Sequence, residues 1–212
     1  MGKIQQGILG GFSGKVGTVI GGSWKGVSYM RSIPKSVHNP QTIGQMSQRS
    51  KFALVINLLK PMSGFIRVGY KLYSDKQTAF NAAMAYNLAN AISGTYPDYS
   101  IDLSKVLVSR GALPAVVNAQ ATSANGAIKL TWEDNSGVGS AKQTDKALVV
   151  VYNVTKGLAV YDTAGVERMV ATDTISIPSD WVGDSVELFL GFISEDGKEV
   201  SNSVYLGTIT VA

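Results

Sequence analysis

The chain has 212 residues, with no cysteine, one histidine, 19 Lys or Arg and 15 Asp or Glu, and its formal net charge is +4. The lack of cysteine excludes disulfides, thiolate metal sites and cysteine nucleophiles, and one histidine alone supports a four-ligand zinc site poorly. Hydrophobic residues make up 45% of the chain and the mean hydropathy is +0.11, which predicts a folded protein of one or two domains.

The charge is distributed unevenly along the chain. Residues 1–74 contain ten Lys or Arg and no Asp or Glu, whereas residues 75–212 contain nine basic and fifteen acidic residues, so the two parts carry +10 and −6. A surface this basic attracts polyanions or an acidic protein surface. The two parts can also attract each other head to tail between subunits.

The first regular element predicted is a β-hairpin over residues 14–33, preceded by a glycine-rich arm or edge strand. Its strands, residues 15–20 and 26–33, are joined by a glycine-containing turn. Alternation along the second strand places Val27, Tyr29 and Arg31 on one face. The hairpin is therefore both basic and aromatic.

Two helices are predicted to follow the hairpin. The first covers residues 43–60, because Thr42 is a suitable N-cap in a capping-box pattern and Pro61 closes the segment. The second covers residues 75–93, where apolar residues recur four apart, and Gly94 is a plausible terminator. The stretch between them is predicted to be irregular or a short helix.

From about residue 113 the pattern changes to short apolar strands separated by turn signals such as Asn125-Gly126, which predicts an antiparallel sandwich. The run that ends at Trp132, followed by a Gly/Ser loop and an apolar strand, resembles a fibronectin type III or immunoglobulin-like domain, and the lack of cysteine fits the former better. Trp132, Trp181, Tyr152, Phe189 and Phe192 are predicted to be core or rim residues. The candidate strands are residues 101–109, 115–122, 127–133, 147–153, 158–162, 168–171, 174–177, 185–193 and 199–211.

An extended motif occupies residues 14–52: G-K-V-G, then W-K-G, then R-x-x-P, then N-P-x-T-x-x-Q-x-x-x-R-x-x-F. It resembles the N-terminal signature of an uncharacterised bacterial and phage-associated protein family. Because that family has no established activity, the resemblance implies no catalytic residue. The N-P-x-T-x-x-Q part is also similar to patterns in small virion-associated proteins, which suggests particle assembly. The signature falls on Gly14, Lys15, Val16, Gly17, Trp24, Lys25, Gly26, Arg31, Pro34, Asn39, Pro40, Thr42, Gln45, Arg49 and Phe52.

Catalysis is not expected from the residues available. His38 lies in a proline-flanked loop, and the pairs Glu133–Asp134 and Glu195–Asp196 lie beside turn signals, where carboxylates are normally solvated. The glycine-rich N-terminal stretch lacks a phosphate-loop motif. We therefore predict no enzymatic activity, no cofactor, no metal and no small-molecule substrate.

The candidate binding residues all lie in the basic first third of the chain. A basic hairpin with aromatic residues can grip phosphates and stack on bases, but its strand edges can equally pair with a neighbouring subunit. The simplest alternative is that its aromatic residues pack on the helices while its lysines are solvated. The candidates are Lys15, Trp24, Lys25, Tyr29, Arg31, Lys35, Arg49 and Lys51.

The sequence thus predicts an α+β protein with a basic hairpin and helical module over residues 1–100, a connection over 101–112 and an immunoglobulin-like sandwich over 113–212. We expect a non-enzymatic assembly protein that associates with itself or a partner in a phage-like particle or filament. The alternative is non-specific nucleic-acid binding, and a third hypothesis is sugar binding by the sandwich. We expect a cytoplasmic location, or one in a particle assembled there, with no membrane span.

Overall fold

The structure is a computed structural model that describes residues 3–4, 10–24, 26–36, 39–75 and 77–212. The chain forms two compact units, Met1–Thr42 and Ile43–Ala212. This division differs from the predicted domain boundaries, which joined the hairpin to the helices and separated both from the sandwich. The physical reason is that the helices pack on the sandwich and share a core with it.

The first unit is an antiparallel sheet in which the strands follow one another in chain order. Gly17, with φ +59°, lies in the turn after Val16, and β3 continues to Trp24 before the next turn. This turn divides the predicted first strand, residues 15–20, between β2 and β3, and residues 21–24, which were predicted to lie between the two strands, belong to β3. The strands are β1 (Lys3–Ile4), β2 (Phe12–Val16), β3 (Val19–Trp24) and β4 (Val27–Ser32).

The second unit begins with helices α1 (Ile43–Leu59), α2 (Ser63–Gly69) and α3 (Ala79–Asn90). The Thr78 hydroxyl caps α3 by accepting a hydrogen bond from the Asn81 amide at 3.1 Å. This helix is shorter at both ends than predicted. Gly94 does not terminate it, because a small hairpin follows directly, formed by β5 (Ile92–Thr95) and β6 (Asp98–Ile101).

Pro61 does not close the helical path as predicted. It lies at the start of a short 3₁₀ turn, where its missing N–H is tolerated, and the chain continues into α2. The resulting helical stretch, Ile43–Gly69, contains an 18-residue window of mean hydropathy 1.3, of which 39% is buried. Length and composition alone would let this stretch cross a membrane, a property that core helices of soluble proteins share. The expected absence of a membrane span therefore stays a prediction.

Seven further strands form two antiparallel sheets, in the orders β10-β9-β12-β13 and β11-β8-β7. The predicted α+β class and the sandwich of the immunoglobulin and fibronectin type III kind are confirmed. The strands are β7 (Val117–Ala124), β8 (Ala127–Glu133), β9 (Lys146–Asn153), β10 (Leu158–Asp162), β11 (Thr172–Ser176), β12 (Ser185–Ile193) and β13 (Val204–Thr210).

The four-stranded sheet of the sandwich is covered on both faces. Leu148, Val150 and Phe189 contribute to a core shared with the helices, whereas Val149 and Leu188 belong to a second core between the two sheets. Because successive side chains point to opposite faces, β9 and β12 carry apolar residues on both faces. The predicted core residues Trp132, Trp181, Tyr152, Phe189 and Phe192 are all buried.

Two predicted strands are wrong. Residues 168–171 form a 3₁₀ turn, Arg168–Val170, because the buried Arg168 side chain is held by groups distant in sequence. The segment 101–109 leaves the strand conformation at Ile101 and forms a 3₁₀ turn over Leu103–Lys105. Its next residues lie against the helices, where the side-chain amide of Asn87 donates to the carbonyl of Leu107 and accepts from its N–H, both at 3.0 Å.

Candidate interaction surface of the N-terminal sheet

Strand register places four of the predicted binding residues on one face of the N-terminal sheet. Lys15 pairs with Ile20 across β2 and β3, and Ile20 pairs with Arg31 across β3 and β4. Trp24 is four residues from Ile20 on β3, and Tyr29 is two residues from Arg31 on β4. Because side chains alternate between the two faces along a strand, Trp24 and Tyr29 lie on the same face as Ile20 and Arg31. We call this the basic–aromatic face, which consists of Lys15, Ile20, Trp24, Val27, Tyr29 and Arg31.

The glycines of β3 let aromatic rings lie flat against both faces. A Cβ atom on Gly22 would lie 2.9 Å from the phenol ring of Tyr29, so that ring covers Gly22. A Cβ atom on the preceding Gly21 would lie 2.6 Å from the ring of Phe12, which covers the opposite face. Tyr29 and Phe12 therefore mark the two faces, and the absence of side chains at both glycines permits the close approach.

Both faces of the sheet are open to solvent. On the basic–aromatic face, Trp24 is 55% exposed and Tyr29 is 49% exposed, while on the opposite face Met30 is 71% exposed. Of residues 10–24 and 26–36, only Gly21 is buried. The sheet thus exposes aromatic and aliphatic surface that folded domains normally cover.

The remaining predicted binding residues lie elsewhere. Lys35 is exposed beyond the end of β4, and Lys25 lies outside the described residues. Arg49 and Lys51 belong to α1 in the second unit, where the ammonium of Lys51 lies 4.8 Å from the centre of the Tyr99 ring. The structure therefore places Lys51 in a contact inside its own unit.

The first half of α1 carries an apolar surface of its own. An open depression of about 410 Å³ lies on this helix, and Phe52 in it is 52% exposed. Burial begins at Val55, where α1 enters the core shared with the sandwich. The depression is lined by Gln48, Arg49, Phe52, Ala53 and Ile56.

The suggested catalytic carboxylates have structural partners. Glu133 accepts a hydrogen bond from the Asn118 amide at 2.6 Å, and Asp134 accepts one from the Ser136 N–H at 2.9 Å. Asp196 accepts hydrogen bonds from Ser194 and Lys198 that hold the pKa of this exposed carboxyl below its usual range. His38 lies outside the described residues. Within the described part of the chain, no cluster of three or more His, Asp or Glu side chains could hold a metal ion.

A buried ion pair in the sandwich is the polar cluster that sequence reasoning missed. The Arg168 guanidinium lies 3.1 Å from the Asp145 carboxylate, and both side chains are inaccessible to solvent. Arg168 also donates to Asn135 and to the Pro114 carbonyl, and stacks 3.8 Å from the centre of the Phe192 ring. Burial lowers the pKa of Arg168 and the charge of Asp145 opposes that shift. The cluster is closed on itself, so we assign it to stability.

Fold and surface together define an α+β protein in which an immunoglobulin-like sandwich with a helical layer accompanies a small, open, basic sheet. The family described as "Family of unknown function (DUF6266)" matches residues 11–207, and the chain belongs to this family. No curated protein matches the chain. Among solved structures, the chain is similar to the fn3 domain of the human collagen alpha-1(XX) chain, at 12% identity and a TM-score of 0.36 over 48% of this chain and 87% of that chain.

Proposed function

We propose that this protein is a non-enzymatic structural protein that assembles through its N-terminal sheet, with itself or with a protein partner. The observation that supports this most directly is the exposure of both faces of the sheet. An antiparallel sheet needs a covered hydrophobic face to be stable. A unit of roughly 40 residues without disulfides also usually needs oligomerisation. A partner that covers either face supplies what the sheet lacks.

A second candidate function is non-specific nucleic-acid binding. The basic–aromatic face supports it, because Lys15 and Arg31 can neutralise phosphates while Trp24 and Tyr29 offer rings for base stacking. The opposite face favours assembly instead, since Val16 and Met30 are exposed there without any charge on the same side of the strands.

The sequence signature is the basis on which we propose the kind of assembly and its location. We propose that it forms part of a phage-like particle or filament built in the cytoplasm, and that it acts without catalysis, cofactor or small-molecule substrate. Asp134 and Asp196 accept hydrogen bonds within their own turns and Glu133 accepts one from Asn118 of β7, which supports structural roles for these carboxylates.

Size-exclusion chromatography with light scattering tests the proposal, at about 0.05 M and 0.5 M salt, with and without nuclease. We expect oligomers that grow with protein concentration and survive nuclease. Val27→Ser should weaken them, because Val27 is 68% exposed on the basic–aromatic face. Val182→Ser is the matched control, since this valine is 58% exposed on the second unit and should leave the oligomers intact.

Two results would count against the first proposal. A monomer at every concentration and salt would reject assembly of the protein with itself. The second candidate would replace it if high salt releases bound nucleic acid from the protein. In that case Lys15→Ser and Arg31→Ser should each lower the number of counterions released on binding by about one.

A further inference from the structure

We propose that the basic–aromatic face docks on one edge of the sandwich of a second copy, so that copies assemble head to tail. This inference rests on the proposed assembly function and names its partner. The docking edge, here called the acidic edge, is formed by β10 and the segment that follows it, residues 158–170.

The acidic edge is a continuous free side of the four-stranded sheet. β10 pairs with β9 from Leu158 to Asp162, and Gly165 and Arg168 continue alongside β9 by donating to the carbonyls of Ala147 and Asp145. β10 is the end strand in the order β10-β9-β12-β13, and β4 is likewise the end strand of the N-terminal sheet. Free strand edges are templates for pairing with another chain.

Charge makes the two surfaces complementary. Asp162 and Glu167 are exposed along the acidic edge, and the Asp173 carboxylate lies beside it, next to Gly165. Arg168 is the one basic residue between residues 157 and 173, and it is buried with Asp145. Lys146 of β9 lies opposite Glu167, so the acidic edge keeps an excess of carboxylate. The basic–aromatic face carries only positive charge.

Apolar surface is also matched. The acidic edge exposes Leu158, Tyr161, Met169 and Val170, of which Tyr161 also contacts the Phe65 ring of α2, with ring centres 6.1 Å apart. The basic–aromatic face exposes Trp24, Val27 and Tyr29 to one side of Lys15 and Arg31. Interfaces gain affinity from buried aromatic and aliphatic anchors, while charge pairs select the partner and its register.

Other parts of the second unit fit this role less well. At one end of the sandwich, Asp180 and Asp184 are already paired with Lys156 at 2.9 and 3.3 Å. At the other end, Glu195, Asp196 and Glu199 share their surface with Lys142 and Lys198.

The arrangement of charge also disfavours a symmetric contact. Residues 1–74 contain no carboxylate, so two basic–aromatic faces in contact would bring together like charges. Like charges brought together in an interface oppose binding. A contact between two different surfaces is heterologous, and repetition of it generates a ring or an open filament.

Charge reversal on each surface separately tests the inference. We would compare wild type with Lys15→Glu/Arg31→Glu and with Asp162→Lys/Glu167→Lys by light scattering and sedimentation. Each variant alone should associate at least about tenfold more weakly than wild type. Glu195→Lys/Glu199→Lys is the matched control, because it changes charge equally on another exposed part of the sandwich and should assemble like wild type.

Mixing the two reversed variants gives the sharpest result. Each variant retains the surface that the other has lost, and the two reversed surfaces are again opposite in charge, so the mixture should regain the association that neither variant shows alone. If Asp162→Lys/Glu167→Lys does not fold, the neutral pair Asp162→Asn/Glu167→Gln replaces it, with a weaker but still measurable loss of association.

The outcomes separate this inference from the proposed function. If the acidic-edge variant assembles like wild type while Lys15→Glu/Arg31→Glu does not, the N-terminal sheet mediates assembly but its partner surface lies elsewhere, and the inference is wrong. If wild type is monomeric under all conditions, assembly of the protein with itself and the inference both fail.

Discussion

Two antiparallel four-stranded sheets in this chain differ in what covers them. In the N-terminal sheet, β4 is exposed at every residue and β3 buries only Gly21. In the sandwich, β12 is buried at every residue after Ser185 and β9 at every residue after Lys146. The same backbone geometry therefore serves as a surface in one unit and as the centre of a three-layer core in the other.

The difference lies in the side chains. β9 and β12 carry large apolar residues on both faces, which require a covering layer on each side, and the helices and the three-stranded sheet provide the two layers. β3 and β4 combine glycine and serine with a few large residues, so neither face buries enough apolar area to hold the sheet alone. The sandwich supplies its own core, whereas the described part of the N-terminal sheet buries only Gly21.

Hydrogen exchange should show the largest contrast between the two sheets. We expect amides of β9 and β12 to be protected at least about a thousandfold more than those of β3 and β4 in dilute monomer, because the former open only on global unfolding. Exchange followed by mass spectrometry measures this. On association, β3 and β4 should gain protection, whereas equal protection in the monomer would contradict the comparison.

Truncation of one large residue in each sheet sharpens the contrast. Phe189→Ala should lower the free energy of unfolding of the second unit by about 3–5 kcal/mol, because the ring is fully buried in the core shared with the helices. Met30→Ala should change the free energy of unfolding of the protein by less than about 0.5 kcal/mol, since this side chain is mostly exposed. Urea denaturation of monomeric protein measures both. A large effect of Met30→Ala in the monomer would show that the sheet packs without a partner.

Local signals in the sequence were sufficient for several elements. β8, β10 and β12 have the predicted bounds, and α1 begins at Ile43 as predicted. Glycine-containing turns and proline act over a few residues, so their effect can be recognised without the tertiary structure.

Long-range interactions explain the main errors. The sequence pattern predicts that a strand begins at Arg168, but the ion pair of Arg168 with Asp145, 23 residues earlier, holds it in a buried turn. Ala171 ends this turn in the left-handed conformation, φ +58°, which an alanine in the sequence does not indicate. The predicted domain boundaries also differ from the two compact units, although the apolar runs of β9 and β12, interrupted in β12 by Glu187 and Gly191, indicate strands buried on both faces.

The candidate surface could be predicted in part. Alternation alone placed Val27, Tyr29 and Arg31 together, and the strand register confirms their common face. The addition of Lys15 and Trp24 to that face required the register of β2 and β3, which depends on the turn at Gly17. The acidic edge could not be predicted from the sequence, because it combines β10 with the turn that contains Arg168, and the position of that turn depends on the distant Asp145.

Acidification should give the smallest effect and should act on the second unit, because residues 1–42 contain no Asp or Glu. Asp184 accepts a hydrogen bond from the Asn153 amide at 2.7 Å and pairs with Lys156 at 3.3 Å. These contacts hold the pKa of Asp184 below its ordinary value. A carboxyl with a lowered folded pKa stabilises the fold above its unfolded pKa of about 4, and that contribution disappears as pH falls through the folded value.

Asp184→Asn should therefore be less stable than wild type at about pH 7, and the difference should shrink as the pH falls below about 4. Urea denaturation of both proteins across this range measures it. A difference that stays constant with pH would mean that Asp184 acts through packing and not through its charge. In the same samples, amide hydrogen exchange of β3 and β4 in the monomer should be unchanged once it is corrected for the intrinsic exchange rate at each pH, because these strands contain no carboxylate that gains a proton.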